Sequence, residues 1–274
     1  MTDLQAIILA VVQGVTELFP ISSLGHAVVL PALLGWGIDE ASEGFLPFLV
    51  VMHLGTALAL FVYFWRDWWT FATAVLFRRG SKAVAERRVF WRVVAATIPA
   101  VIIGYFFEKQ LRSVFGAPTL AAAFLIANGV MLFAAERLKK EHGRTLDQLT
   151  WGQAIVVGLC QCLALIPGFS RSGATMAGGY LAGLDHEDAA RFSFLTATPI
   201  ILGAGVLEAP KLLHQHTGFG GVAILAGAVA GVTAFISVAV LMLWFRQREA
   251  RGFDPFAIYC ALAGAGALAW LLLR

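Results

Sequence analysis

The sequence predicts an all-α polytopic membrane protein with six transmembrane helices plus two re-entrant helical hairpins, built as an inverted-topology repeat. Three observations predict it. The 274-residue chain is 59% hydrophobic and 14% charged, with a mean hydropathy of +0.79; that is the composition of an integral membrane protein, not of a soluble domain. Its Lys and Arg residues gather in alternate loops. Two of its apolar stretches, 4–36 and 151–183, are broken by Pro, Gly and Ser, and each holds an isolated charge.

The N-terminus, Met1-Thr2-Asp3-Leu4-Gln5, has no basic residue before the apolar run and no small-residue cleavage site, so 4–36 reads as a membrane segment and not as a cleaved signal. Candidate spans follow at 45–65, 93–107 (with its start a few residues earlier) and 117–135, then the broken stretch 151–183, then spans 188–207, 219–245 and 255–273. Residues 66–92 and 136–150 read as polar loops. Fourteen of the 20 Lys and Arg residues lie in three loops: Arg66 to Arg92, Arg137 to Arg144, and Arg246 to Arg251. The positive-inside rule makes those loops cytoplasmic. Loop 27–44 has no basic residue, 108–116 has Lys109 and Arg112, and 208–218 has Lys211. The alternation closes only if 4–36 and 151–183 each leave the membrane on the side they enter. Six crossings then carry the chain, with both termini outside. Topology thus explains the basic runs without a nucleic-acid partner. Cys160, Cys162 and Cys260 lie in apolar segments and read as small buried hydrophobes.

The broken stretches share a pattern. Glu17-Leu18-Phe19-Pro20-Ile21-Ser22-Ser23 aligns with Ala164-Leu165-Ile166-Pro167-Gly168-Phe169-Ser170 at an offset of 147. The single membrane domain then divides into halves at about 1–140 and 150–274, each one hairpin plus three spans and therefore opposite in direction. Such repeats place binding sites near midplane, where broken helices meet. Gly227-x-x-x-Gly231 reads as helix packing, with a homodimer contact as the second reading.

The chemistry sits at the breaks. Arg171 is the only Asp, Glu, Lys or Arg between Asp147 and Asp185, and Glu17 the only one between Asp3 and Asp39. A charge at a bilayer centre costs about 2.5–3.5 kcal/mol on insertion scales, so each needs a partner or a ligand. Gln13 shares a helical face with Glu17. Pro20 ends the first half-helix, and Ser22-Ser23-Leu24-Gly25-His26 starts the return. Pro167-Gly168 repeats the device before Ser170-Arg171-Ser172-Gly173-Ala174-Thr175. Two helix N-termini aimed at one point, with an Arg and several hydroxyls, suit a phosphate. Ser23 or His26 supplies a nucleophile, and Glu17 a base, an orienting group or a metal ligand. His53 is a second midspan histidine, whereas His142, His186, His214 and His216 read as loop residues. A phosphate site inside a bilayer implies phosphoryl transfer on a lipid with a phosphate head.

Gln13-Gly14-Val15-Thr16-Glu17 with Pro20-Ile21-Ser22-Ser23-Leu24-Gly25-His26, and Pro167-Gly168-Phe169-Ser170-Arg171-Ser172-Gly173-Ala174-Thr175, resemble the motifs of the undecaprenyl-diphosphatase family, the bacitracin-resistance proteins of bacteria. Phe192-Ser193-Phe194-Leu195 and Asp254-Pro255-Phe256-Ala257-Ile258-Tyr259 extend the resemblance over nearly the whole chain. It implies removal of the terminal phosphate of a polyprenyl diphosphate at the outer side of the bacterial cytoplasmic membrane, regenerating the lipid carrier for peptidoglycan. Glu17, Ser23, His26 and Arg171 match the family's catalytic positions. Arg171 would bind the diphosphate. Ser23 would be the nucleophile, with His26 as base and rival nucleophile. Glu17 would orient His26 or hold a divalent cation, Mg or Ca. Gln13, Ser22, Ser170, Ser172, Thr175 and His53 would contact substrate. No organic cofactor is expected. Gln13 stands where many relatives have Glu, which removes one anionic ligand; Leu24 stands where Thr is common, and His53 where Gln is common. A lipid transporter using the same midplane site is the rival reading. A phosphatase of the other class would need a second catalytic His, for which Asp185-His186 is the nearest candidate.

Overall fold

The computed structural model describes residues 1–38, 45–107, 117–138, 143–214, 220–248 and 250–273. They are helical throughout, and the one β-bridge among them, Arg144 to Leu184, is isolated. In chain order the helices are α1 (Asp3–Thr16), α2 (Ser23–Leu34), α3 (Phe45–Tyr63), α4 (Trp65–Leu76), α5 (Ser81–Phe106), α6 (Pro118–Leu138), α7 (Trp151–Gln161), α8 (Arg171–Leu181), α9 (His186–His214), α10 (Gly220–Arg246) and α11 (Asp254–Leu273). A short 3₁₀ turn, Cys162–Leu165, extends α7.

Among the described residues α5, α6, α10 and α11 are each long and apolar enough to cross a membrane. The α3–α4 pair passes the same test together but bends by 69°. Large apolar side chains cover the outside, among them Ile224, Val232, Leu262 and Tyr105; this is the surface of a multi-pass membrane protein, whose exterior solvent is lipid. The stretch 66–92, expected as a polar loop, is largely helical. Trp65 and Trp69 of α4 are exposed while Phe71 and Ala74 are buried, so α4 is two-sided, and its polar composition hid a helix. Helix α5 starts at Ser81, twelve residues before the expected span, because Lys82 to Arg92 continue its helical turns below the apolar part.

Both expected breaks occur. Helix α1 ends at Thr16, and Pro20 lies in the turn before α2. Helix α7 and its 3₁₀ extension end at Leu165, before Pro167-Gly168. Gly168 adopts φ +102°, and a Cβ there would overlap the Ala121 carbonyl of α6, so only glycine fits this bend. The hairpins exchange neighbours: α1 packs on α10 and α7 on α5, while α3 packs on α10 and α6 on α11. Small residues allow close approach. A methyl on Gly55 of α3 would overlap the Gly227 carbonyl of α10, and one on Gly231 would meet the Gly55 carbonyl at 3.0 Å. The Gly227-x-x-x-Gly231 pattern therefore serves packing within the chain.

Candidate active site

Serines start both return helices. Ser22 caps α2, its Oγ accepting from Gly25 N at 3.2 Å, and Ser170 caps α8, accepting from Gly173 N at 3.0 Å. This is standard satisfaction of orphan N–H groups at a helix start. The two starts also hold each other. Ser22 Oγ donates to the Phe169 carbonyl at 3.1 Å, and Ser172 Oγ donates to the Phe19 carbonyl at 3.2 Å. Asn128, fully buried on α6, clamps both: its Nδ2 donates to Pro20 O at 2.9 Å and its Oδ1 accepts from Ser170 N at 3.0 Å.

This bracing brings Glu17 and Arg171 together. They form a direct ion pair through Glu17 Oε1 and Arg171 Nη2. Glu17 Oε2 accepts from Ser23 Oγ at 2.5 Å and from Gln13 Nε2 at 3.1 Å, and lies 3.4 Å from His53 Nε2. His53 Nδ1 faces the Leu49 carbonyl at 2.8 Å; a carbonyl only accepts, so this nitrogen carries a proton. Nε2 then meets the carboxylate favourably when it too is protonated. A cavity of about 330 Å³ opens over these groups, lined by Glu17, Ser23, His53, Gln161, Ser170 and Arg171 and walled by apolar side chains such as Leu49, Leu165 and Ile201.

Of the catalytic and substrate-contact residues expected, Gln13, Glu17, Ser23, His53 and Arg171 form one contact network. Ser22 and Ser170 reach the cavity while capping helices. Ser172 and Thr175 are spent on architecture: Thr175 Oγ1 donates to the Arg171 carbonyl at 2.7 Å and pairs with Ser193. His26 lies apart. Its Nδ1 faces Ser22 O at 2.7 Å and must donate, so its Nε2 accepts from Tyr259 Oη at 2.8 Å. Glu17 thus orients Ser23 where orientation of His26 was expected. His186, expected in a loop, opens α9, is buried, and meets Glu136 at 3.0 Å; that commitment to Glu136 gives it no part in the cavity. His142 and His216 lie outside the described residues, as does the side chain of His214. Asn128, Tyr259 and Gln161 are additions. A lone Asn in an apolar span was the available signal for the first; Gln161 stands nine residues before its cap Ser170, as Gln13 stands nine before Ser22.

Glu17 has both oxygens engaged, and no three His, Cys, Asp or Glu side chains gather for a metal among the described residues. Arg171 supplies a positive charge beside Glu17.

Fold and cavity define a polytopic membrane protein with a charged, hydroxyl-bearing site inside its helical bundle. The comparisons give the family. Residues 6–266 match the family described as Bacitracin resistance protein BacA, and the chain belongs to it. It is 52% identical over 272 residues to an undecaprenyl-diphosphatase of Acidiphilium cryptum, covering 97% of this chain and 96% of that one. It is 51% identical over 287 residues to one of Granulibacter bethesdensis, covering 99% and 97%. It is 50% identical over 280 residues to one of Gluconobacter oxydans, covering the whole of both.

Proposed function

We propose that this protein hydrolyses undecaprenyl diphosphate to undecaprenyl phosphate and inorganic phosphate, which recycles the carrier lipid of peptidoglycan synthesis and confers resistance to bacitracin. Relatives of half-identical sequence and equal length carry that activity in their names. The observation that carries the site assignment is Glu17, bound at once to Ser23 and to Arg171 in an apolar-walled cavity. The diphosphate competes with Glu17 for Arg171. Glu17, relieved of that partner, takes the Ser23 proton as Oγ attacks the terminal phosphorus. The bond from that phosphorus to the bridging oxygen breaks, and undecaprenyl phosphate leaves with the electron pair. Water then attacks the phosphoserine, the bond from phosphorus to Ser23 Oγ breaks as Glu17 returns its proton to that oxygen, and phosphate leaves with the water oxygen and its protons. Helix starts and Arg171 stabilise the equatorial oxygens, which is the main protein contribution in phosphoryl transfer.

The basic loops support placement in the bacterial cytoplasmic membrane with termini and cavity mouth external. The reciprocal bonds Ser22 to Phe169 and Ser172 to Phe19, each joining the two breaks, support inverted halves. The test is phosphate release by purified protein from undecaprenyl diphosphate. Arg171→Ala and Glu17→Ala abolish release while the protein folds; near-normal turnover in either sinks the site. Lipid movement in liposomes without any release by the wild type would favour the transporter instead.

A further inference from the structure

Three buried polar atoms near the site have no hydrogen-bond partner among the described residues: Arg171 Nη1, Gln13 Oε1 and Gln161 Oε1. An unmet buried polar group costs about 1–3 kcal/mol, and two of the three belong to residues that line the cavity, Arg171 and Gln161, which points to a ligand that meets them. One is a donor and two are acceptors. A fully ionised phosphate offers only acceptors, which suits the Arg alone. A phosphate oxygen that carries a proton is a donor as well.

Gln161 is the informative member. It is 2% exposed, yet it lines the cavity together with Arg171 and Ser23. Its amide is oriented by one long contact. Nε2 faces the Ala96 carbonyl of α5 at 3.5 Å, and a carbonyl can only accept, so the amide oxygen is the free end. That contact is at the limit of a hydrogen bond. It does not explain the residue, because Gly158 already seats α7 on α5: a methyl there would overlap the same Ala96 carbonyl. Gln13, at the matching register of the first hairpin, has its Nε2 committed to Glu17 and also leaves its oxygen free.

We propose that Gln161 is a specificity-determining residue that accepts a hydrogen bond from the protonated oxygen of the terminal phosphate, so that the cavity selects a phosphate bearing an O–H over an anion of equal shape without one. This rests on the site proposed above. Each anion-binding group then has its complement: Arg171 Nη1 donates to a bare oxygen, and Gln161 accepts from the O–H. The product, inorganic phosphate, retains that O–H at neutral pH, whereas sulfate has the same shape and carries no proton.

The experiment measures inhibition by inorganic phosphate and by sulfate at pH 7, following undecaprenyl phosphate formation by chromatography. The wild type is inhibited about tenfold more strongly by phosphate than by sulfate, one hydrogen bond to an ionised ligand setting the scale. Gln161→Leu brings the ratio near one and raises KM more than it lowers kcat. Gln161→Glu keeps an acceptor at the same reach, so it retains the preference although both anions bind more weakly. A residue that only packs α7 on α5 would weaken both anions equally and leave the ratio unchanged. An unchanged ratio in Gln161→Leu, or a wild type that does not discriminate, overturns the proposal. Loss of the preference in Gln161→Glu overturns it too. Direct binding of the two anions to Arg171→Ala, read by calorimetry on the purified protein, separates the two levels: if phosphate and sulfate bind it as they bind the wild type, the site itself is misplaced.

Discussion

Glu17 carries more contacts than any other ionisable group in the cavity, and its position was legible because a charge inside an apolar run demands a partner. The same rule exposed Arg171, and the residues meet. Ser23 was singled out over Ser22 by the family resemblance alone, and the coordinates supply a physical reason: Ser22 is engaged by Gly25 and Phe169 while Ser23 reaches the carboxylate. His26 was legible as a chemical group and not as a direction. Three residues beyond Ser23 on a helix, it turns toward Tyr259, a residue 233 positions away that no local pattern reveals. Two expectations follow. Ser23→Ala lowers turnover by at least about 1,000-fold, the loss typical of an absent nucleophile. Glu17→Gln, which keeps the shape without the base, lowers it by about 10² to 10⁴. Single-turnover assays with a search for phosphoserine check both; normal turnover in Ser23→Ala would hand the nucleophile to another group.

Among elements, Pro20 and Pro167-Gly168 marked both breaks because proline and glycine act locally. Helix α4 escaped because alternating polar and aromatic residues read as a loop once hydrophobic spans are the only template. Asn128 escaped because its partners lie on two other elements. Asn128→Leu keeps the volume but leaves Pro20 O and Ser170 N without their partner, at about 1–3 kcal/mol for each orphaned buried group. Activity and melting temperature in detergent should fall together, whereas Arg171→Ala should lose activity alone. Gly55→Val drives a side chain into the α10 backbone at Gly227, an overpacking worth about 1–3 kcal/mol or more. A lowered melting temperature with unchanged KM in the surviving fraction is the expected reading, and unaltered stability would mean the α3–α10 contact is loose.

At the scale of the whole molecule, orientation follows from where Lys and Arg fall. In a variant with all three native cysteines replaced, a cysteine at Arg88 should react with an impermeant thiol reagent only in inverted vesicles. One at Asp3 should react in intact cells. The reverse pattern would invert the topology. Equal reactivity from both sides at either position would contradict a fixed orientation.

The paired serine-to-carbonyl bonds between the two breaks act on the molecule as a bolted seam. Each bolt is set in one hairpin and threads into the other, with Asn128 as a common washer. Prying the hairpins apart to expose the floor of the cavity to the opposite face would shear all of them at once. A molecule jointed this way resists separation of its two hairpins, so motion at the cavity has to leave these bonds whole or break them together.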